Sequence, residues 1–511
     1  MFICIYWYFK YYILSKVDRY IFILMRKLCN YRVIVFSFLA MLFSIATIVL
    51  SNYNSVYLFV LFTISVVMFL VFLLNDKKLK YIFIPLFLII GLSTATFYDY
   101  SIESNKVYFD KASIQGRICS VRNNGVVIED AKIANTAING KVIIYTNNNY
   151  EIGDIIYSYE QVNKIEYSPT DSYINSLYDE NIFQSATSDN FVKIGTTKLS
   201  LSEKIKLHTK ALYDKYLKIE SANIAYGMVF GDTSLMDVTL RGSLSKTGLN
   251  HIFAVSGLHI GILASFVFFI NKKLRIKGLF NIFITTVVLV LYNFLCGYSP
   301  SMVRATIMML VLLFGNEYGL KNDVLSRLCF AGIIILLSKP YSMFTISYQL
   351  SFFAVFGLVA FGRIFSKKLT KIPINISGII SASLAVNFAI FPFVCYHFRA
   401  FPIWFLPANI IILPFLPIIY GLTLFFTILN LIFPMVNLLA LIDYLFIPIK
   451  LVSLLANEFN ITMLNIDYNS VALMLYLTSE VVVSPYLFIK SKTKAILFAI
   501  LITTSIVFIF I

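Results

Sequence analysis

Apolar runs of the roughly 17 to 25 residues that a helix needs to cross about 30 Å of hydrocarbon recur from one end of this chain to the other. Thirteen are read, centred near Ala40, Val66, Ile89, Leu263, Val288, Met308, Ile334, Phe353, Ala385, Ile412, Ala440, Leu477 and Leu501. They predict an α-helical polytopic membrane protein of about 13 spans. Composition agrees: 13% of the residues are charged, about half the usual share of a soluble domain. A soluble globular protein is thereby excluded. Residues 1–30 are aromatic and apolar but interrupted by Lys10, Lys16, Asp18 and Arg19, and read as an interfacial segment. Met25 is an alternative start, and no signal-peptide pattern is present.

The formal charge of +16 is unevenly placed. Between Asp99 and Glu220 lie 16 acids and 14 bases, which leaves 10 acids and 28 bases to the hydrophobic remainder. Basic residues beside spans favour the cytoplasmic side. Arg26, Lys27 and Arg32, then Lys77, Lys78 and Lys80, then Lys272, Lys273, Arg275 and Lys277 all fall on one side of a consistent span count. So do Arg363, Lys367, Lys368 and Lys371, and Lys490, Lys492 and Lys494. This orientation puts the N-terminus in the cytoplasm of a multi-pass plasma-membrane protein and residues 99–220 outside. Of the six cysteines only Cys119 is in that external segment, so it holds no disulfide framework.

Residues 113–118, 125–128, 140–145 and 154–159 are β-branched or alternating runs separated by Asn- and Gly-rich turns. They predict a small extracellular all-β domain, a closed or nearly closed barrel, over residues 99–200. Residues 201–240 follow as amphipathic helices at the outer surface, with Ile205, Leu212, Tyr216 and Ile219 at helical spacing. Residues 31–98 supply three transmembrane helices and residues 241–511 the main transmembrane domain.

The densest polar stretch in an apolar setting is Gly248-Leu249-Asn250-His251-Ile252-Phe253-Ala254-Val255-Ser256-Gly257-Leu258-His259-Ile260-Gly261. As one continuous helix it would bring His251 and His259 within about 80° of each other, with Gly257 and Gly261 admitting a neighbouring helix. Intramembrane ionisable residues are candidates for function; the plainer alternative is hydrogen bonding across helices or at the interface. This stretch resembles the signature of the ComEC-type competence proteins, polytopic channels that take single-stranded DNA into bacteria. Gly297-Tyr298-Ser299-Pro300-Ser301-Met302-Val303-Arg304-Ala305 resembles a second block of that family. Lys339-Pro340 with Ile346-Ser347-Tyr348-Gln349-Leu350-Ser351-Phe352 resembles a third, with Lys339 where an acid is usual. Phe391-Pro392-Phe393 and Pro407-Ala408-Asn409, followed by Pro414 and Pro417, resemble its closing helices, and the external segment resembles the family's OB-like domain.

The resemblance implies a channel importing single-stranded DNA during natural transformation. Its path would run by His251, Ser256, Gly257, His259 and Gly261, with Arg304, Gln349 and Asn409 as polar lining. Arg304, one turn into its helix, either snorkels to headgroups or meets phosphate at the mouth; Gln349 either bonds phosphate or joins two helices. Tyr145, Tyr157 and Tyr159, with Tyr167 also available, are candidates for stacking bases, although the domain's slight acidity argues against strong capture. Implied partners are an extracellular DNA receptor, a cytosolic helicase-like ATPase, since no phosphate-binding loop is present, and a separate nuclease; a homodimer is allowed. No cofactor is implied. The metallo-β-lactamase-like domain of many members needs a His-x-His-x-Asp-His cluster, and His208, His251, His259 and His397 do not form one. No enzyme activity is therefore expected.

A zinc site from His251 and His259 fails on spacing, about 12 Å of helical rise. Two other classes stay open: a secondary transporter for a small anion, and an intramembrane hydrolase with Ser256 as nucleophile.

Overall fold

The computed structural model describes residues 31–50 and 82–510, except 123–124, 147–149, 189, 254, 320–322, 370–372, 434–437, 459–462, 467 and 485–490. The proposed interfacial segment and the run centred on Val66 lie outside the described residues. The chain opens with helices α1 (Tyr31–Leu50) and α2 (Phe83–Glu103). A β region follows: β1 (Phe109–Arg122), β2 (Gly125–Ile133), β3 (Thr136–Ala137), β4 (Lys141–Tyr145), β5 (Asp154–Lys164), α3 (Ser172–Asp179), β6 (Ile182–Thr187) and β7 (Val192–Thr196). Then come α4 (Leu201–Tyr216), α5 (Ile219–Phe230), α6 (Val238–Lys246), α7 (Gly257–Lys273), α8 (Gly278–Cys296), α9 (Pro300–Glu317) and α10 (Val324–Ser338). The chain closes with α11 (Ile346–Lys368), α12 (Ile374–Phe398), β8 (Ala400–Pro402), α13 (Phe405–Ile412), α14 (Leu416–Ile432), α15 (Leu439–Glu458), β9 (Met463–Asn465), α16 (Ser470–Val483) and α17 (Ser491–Phe510).

Among the described residues six helices are long and apolar enough to cross a membrane, or seven if α13 and α14 count as one broken span. Four further apolar helices are shorter. Among the described residues, the runs expected near Ala40, Ile334, Leu477 and Leu501 form helices shorter than a full crossing. The reason is local in α10, which is stopped on both sides. Asp323 accepts the Ser326 N–H at 2.8 Å as N-cap, and Lys339 precedes Pro340, which cannot extend a helix. The run centred on Ile412 is likewise not straight. Helices α13 and α14 meet there at a 53° bend, where Pro414 removes a donor and clashes with the preceding turn. Ala440 marks the start of α15 rather than its middle.

Two compact units are formed. The first comprises Met1–Ser101, Phe268–Val287 and Arg304–Met343; the second comprises Ile102–Val267, Val288–Val303 and Phe344–Ile511. In the first, α1 packs on α10, and Gly91 of α2 sits so close to Met41 and Ser44 that a Cβ has no room. Asp99 at the end of α2 accepts the Tyr341 hydroxyl at 2.7 Å.

The second unit contains the barrel. Strand β1 pairs antiparallel with β2 and with β5, β2 pairs with β4, β4 pairs parallel with β6, and β6 pairs with β5. These five strands close a ring, with β3 added to β2 and β7 added to β5. Ile114, Ile118, Val126, Ile128, Val142, Ile144, Ile156 and Val162 fill its interior, because alternate residues of a strand face one side. The four expected strands coincide with parts of β1, β2, β4 and β5, apart from Gly140, which precedes β4.

Arg117 fastens the barrel to α4. Its guanidinium pairs with Glu129 of β2 and Glu203 of α4 and donates to Thr197 Oγ1 at 2.8 Å. Glu203 also completes a capping box with Ser200, which satisfies two N–H groups at the start of α4. Helix α4 is amphipathic as expected, but α5 is not a surface helix: from Ser221 to Phe230 every residue but Asn223 is buried. It forms the core of the unit with Leu249, Ile252 and Phe253 and with Ala408, Ile412, Ile419 and Tyr420.

Candidate functional site

The polar signature stretch does not form one helix. A single short turn holds Asn250–Ile252, and the regular helix begins only at Gly257. The 80° relation expected of His251 and His259 therefore does not hold. His251 is exposed and its Nδ1 lies 2.9 Å from the Gly248 carbonyl, a local bond. His259 is 1% exposed. Gly248 has a φ of +73°, a left-handed conformation that favours glycine, and so reverses the chain ahead of this turn.

Ser256 is the cap of α7 and His259 stands three residues into it. The Ser256 N–H donates to His259 Nδ1 at 3.1 Å, and Ser256 Oγ is 3.3 Å from the same nitrogen. The Ser256 N–H bond is the reciprocal half of a capping box, with imidazole in place of the usual Glu or Gln. Because Nδ1 accepts, the ring proton resides on Nε2, which is buried without a hydrogen-bond partner among the described residues. The ring meets Tyr420 of α14 edge-on, with centroids 4.3 Å apart. Tyr420 donates to Tyr292 of α8 at 2.9 Å, and Tyr292 donates to the Val229 carbonyl of α5 at 2.7 Å. One point thus joins α5, α7, α8 and α14 through buried polar groups. Gly231 (φ +77°) ends α5, where a Cβ would approach Val255 within 2.8 Å.

This geometry weakens the hydrolase alternative. A general base needs its acceptor nitrogen for the serine proton, but His259 Nδ1 is occupied by the backbone N–H of the same serine. Among the described residues no three His, Cys, Asp or Glu side chains form a group able to hold a metal.

The other predicted residues separate. Gly261 has nothing within 4 Å of where a Cβ would sit, so it admits no neighbouring helix; the close approach belongs instead to Gly357 of α11, beneath which Ala389 and the Ala385 carbonyl of α12 lie 2.5 and 2.6 Å from that position. Gly257 is the first residue of α7. Arg304 is in the first unit, 6% exposed, and does not snorkel outward: its Nη1 lies 3.9 Å from Met308 Sδ, one turn further along α9. Asn409 on α13 is buried, and its Oδ1 has no hydrogen-bond partner among the described residues. Gln349 joins helices: its Oε1 accepts from His397 Nε2 of α12 at 2.7 Å. On the barrel, Tyr157 and Tyr159 are 41% and 60% exposed on one face of β5. Tyr145 is on β4, away from them in the ring, with its hydroxyl 3.0 Å from that of Tyr173. Burial and this bond raise its pKa to about 12. Tyr167 packs on Tyr178 and Phe344.

Two residues were missed from the sequence. His397 bonds through both ring nitrogens, Nε2 to Gln349 and Nδ1 to Ser172 Oγ of α3 at 2.7 Å. Glu480 of α16 is fully buried, and neither carboxyl oxygen has a hydrogen-bond partner among the described residues. Its signal was in the sequence, a lone acid in an apolar run.

Comparison with known proteins bears on the same region. A family model described as Competence protein matches residues 228–492. Over 211 residues the chain is 29% identical to ComE operon protein 3 of Bacillus subtilis strain 168, an alignment covering 41% of this chain and 27% of that protein. Over 156 residues it is 30% identical to an uncharacterized protein of Aquifex aeolicus strain VF5, covering 30% of this chain and 35% of that protein. The matches thus span about a third or less of either relative's length. No solved structure matches.

Proposed function

The chain belongs to the competence protein family, and from that premise we propose that this multi-pass membrane protein serves DNA uptake by conducting one strand inward across the plasma membrane. The family match over residues 228–492, which contains the Ser256–His259 joint and the Arg304, Gln349 and Asn409 positions, carries the reading. The five-stranded ring supports an OB-like domain, a fold that takes oligonucleotides on its strand face. Tyr157 and Tyr159 would stack bases there. The path past α7, the count of thirteen spans, and a receptor, an ATPase and a nuclease as partners are parts of the same proposal. No catalytic step falls to this chain.

Orientation is supported from within the second unit. The barrel side meets α12 at His397, its C-terminal end, while the basic residues Arg363, Lys367 and Lys368 lie at the opposite end of the neighbouring α11. Ser202 of α4 reaches the last turn of α8, at the Leu295 carbonyl. A barrel outside and basic loops inside satisfy both facts.

A second reading, a secondary transporter for a small anion, draws on the 53° break between α13 and α14, since broken helices line such sites, with Asn409 one turn before the break. The two separate experimentally. Labelled duplex DNA is given to competent cells, and internal nuclease-resistant label is measured with and without the gene. Loss in the deletion strain supports conduction of DNA; uptake equal to wild type contradicts it and favours the transporter.

A further inference from the structure

We propose that His397 is a positioning residue that holds the barrel in register over the ends of α11 and α12, through Ser172 on one ring nitrogen and Gln349 on the other. The inference rests on the DNA-uptake reading for its consequence. Gln349 Oε1 can only accept, so Nε2 carries the ring proton, Nδ1 accepts, and the Ser172 hydroxyl donates. Both bonds are 2.7 Å long and tie residues 48 and 225 positions apart. The imidazole is in the last turn of α12, two residues before Arg399, whose left-handed φ of +51° ends the helix.

The other end is equally rigid. Helix α3 moves with the barrel because Asp171 caps it through Tyr173 N and Ile174 N, Tyr178 OH donates to the Ile165 carbonyl at 2.8 Å, and Asn175 donates to the Pro169 carbonyl at 3.0 Å. A second seat, the ring contact of Tyr167 with Phe344, is apolar and therefore non-directional; it resists separation but permits sliding. Directed bonds fix lateral register, and at the ends of α11 and α12 the His397 pair supplies them, as Arg117 does at α4. Lateral register matters because a strand leaving the barrel must arrive at one place on the helices. The trio is not a hydrolytic site: Asp171 already takes the N–H groups at the start of α3 that an oxyanion would need.

The test uses the full chain with Ser172→Ala, Ser172→Thr, His397→Ala and the double variant Ser172→Ala/His397→Ala. Internal label is measured in cells, and binding of a fluorescent single-stranded oligonucleotide is measured on the purified proteins. Loss of one hydrogen bond of ~1 kcal/mol predicts about fivefold lower uptake for Ser172→Ala, with oligonucleotide binding unchanged and uptake restored by Ser172→Thr. The double variant should equal His397→Ala, because both act through one link. Wild-type uptake in both single variants, multiplied losses in the double, or binding that falls in step with uptake would overturn the proposal. Amide exchange of α3 and of the first turn of α11 gives a readout independent of transport: it should be faster in Ser172→Ala than in Ser172→Thr, and equal rates would refute the link. If deleting the gene leaves uptake intact, the uptake reading fails while exchange still decides the link.

Discussion

His259 was legible in the sequence as an unusual residue, and its geometry was not. A helical wheel assumes unbroken helix, but the regular helix starts at Gly257, so the imidazole caps its own helix instead of sharing a face with His251. His259→Ala should therefore lower thermal stability in detergent by about 2 kcal/mol or more, from the lost cap and the cavity beside Tyr420. His259→Asn, whose amide oxygen can replace Nδ1, should recover part of that loss; equal melting temperatures for the two variants would contradict the capping role. Glu480 gives the opposite sign. A buried carboxyl with no hydrogen-bond partner costs stability, so Glu480→Leu should raise the melting temperature, by the equivalent of roughly 1 to 3 kcal/mol. A fall would mean that the carboxyl has a partner in the membrane.

At the scale of elements, strands β1, β2, β4 and β5 could be read because Val and Ile alternate along them, whereas β6 and β7 could not. Strand β6 (Ile182–Thr187) joins the ring partly through a parallel pairing with β4, a non-local contact that no local pattern encodes. Helix contacts were equally hidden: the small-residue rule pointed to Gly261, while the tight crossing uses Gly357. Gly357→Val should destabilise the α11–α12 pair by about 1 to 3 kcal/mol, and Gly261→Ala should leave the melting temperature unchanged or raised. The barrel–α4 joint adds a pH dependence. Burial disfavours the Glu203 carboxylate, but the Ser200 N–H and the Arg117 guanidinium outweigh it and hold Glu203 below the usual carboxylate range. Its stabilisation is complete above the unfolded-state value and is lost as pH falls through the lower folded value. Wild type should lose stability on acidification more steeply than Glu203→Gln; parallel curves would show that the pair contributes nothing.

For the whole molecule, hydropathy made a polytopic protein legible, because it is a sum over many residues, and the basic clusters carry the sidedness as a prediction. The lengths of single helices such as α10 were not legible, since capping acids and prolines shorten helices without lowering average hydropathy. Cysteine placed at Tyr159 should label from outside intact cells and cysteine at Arg363 should not; the reverse pattern would invert the topology. The central claim is conduction of a single strand, and it is tested most directly on purified protein in a planar bilayer. Under an applied voltage, single-stranded oligonucleotide should interrupt the ion current and cross to the far chamber, while a duplex of the same length should not cross. A membrane that carries no current, or a current indifferent to single-stranded DNA, would contradict the account.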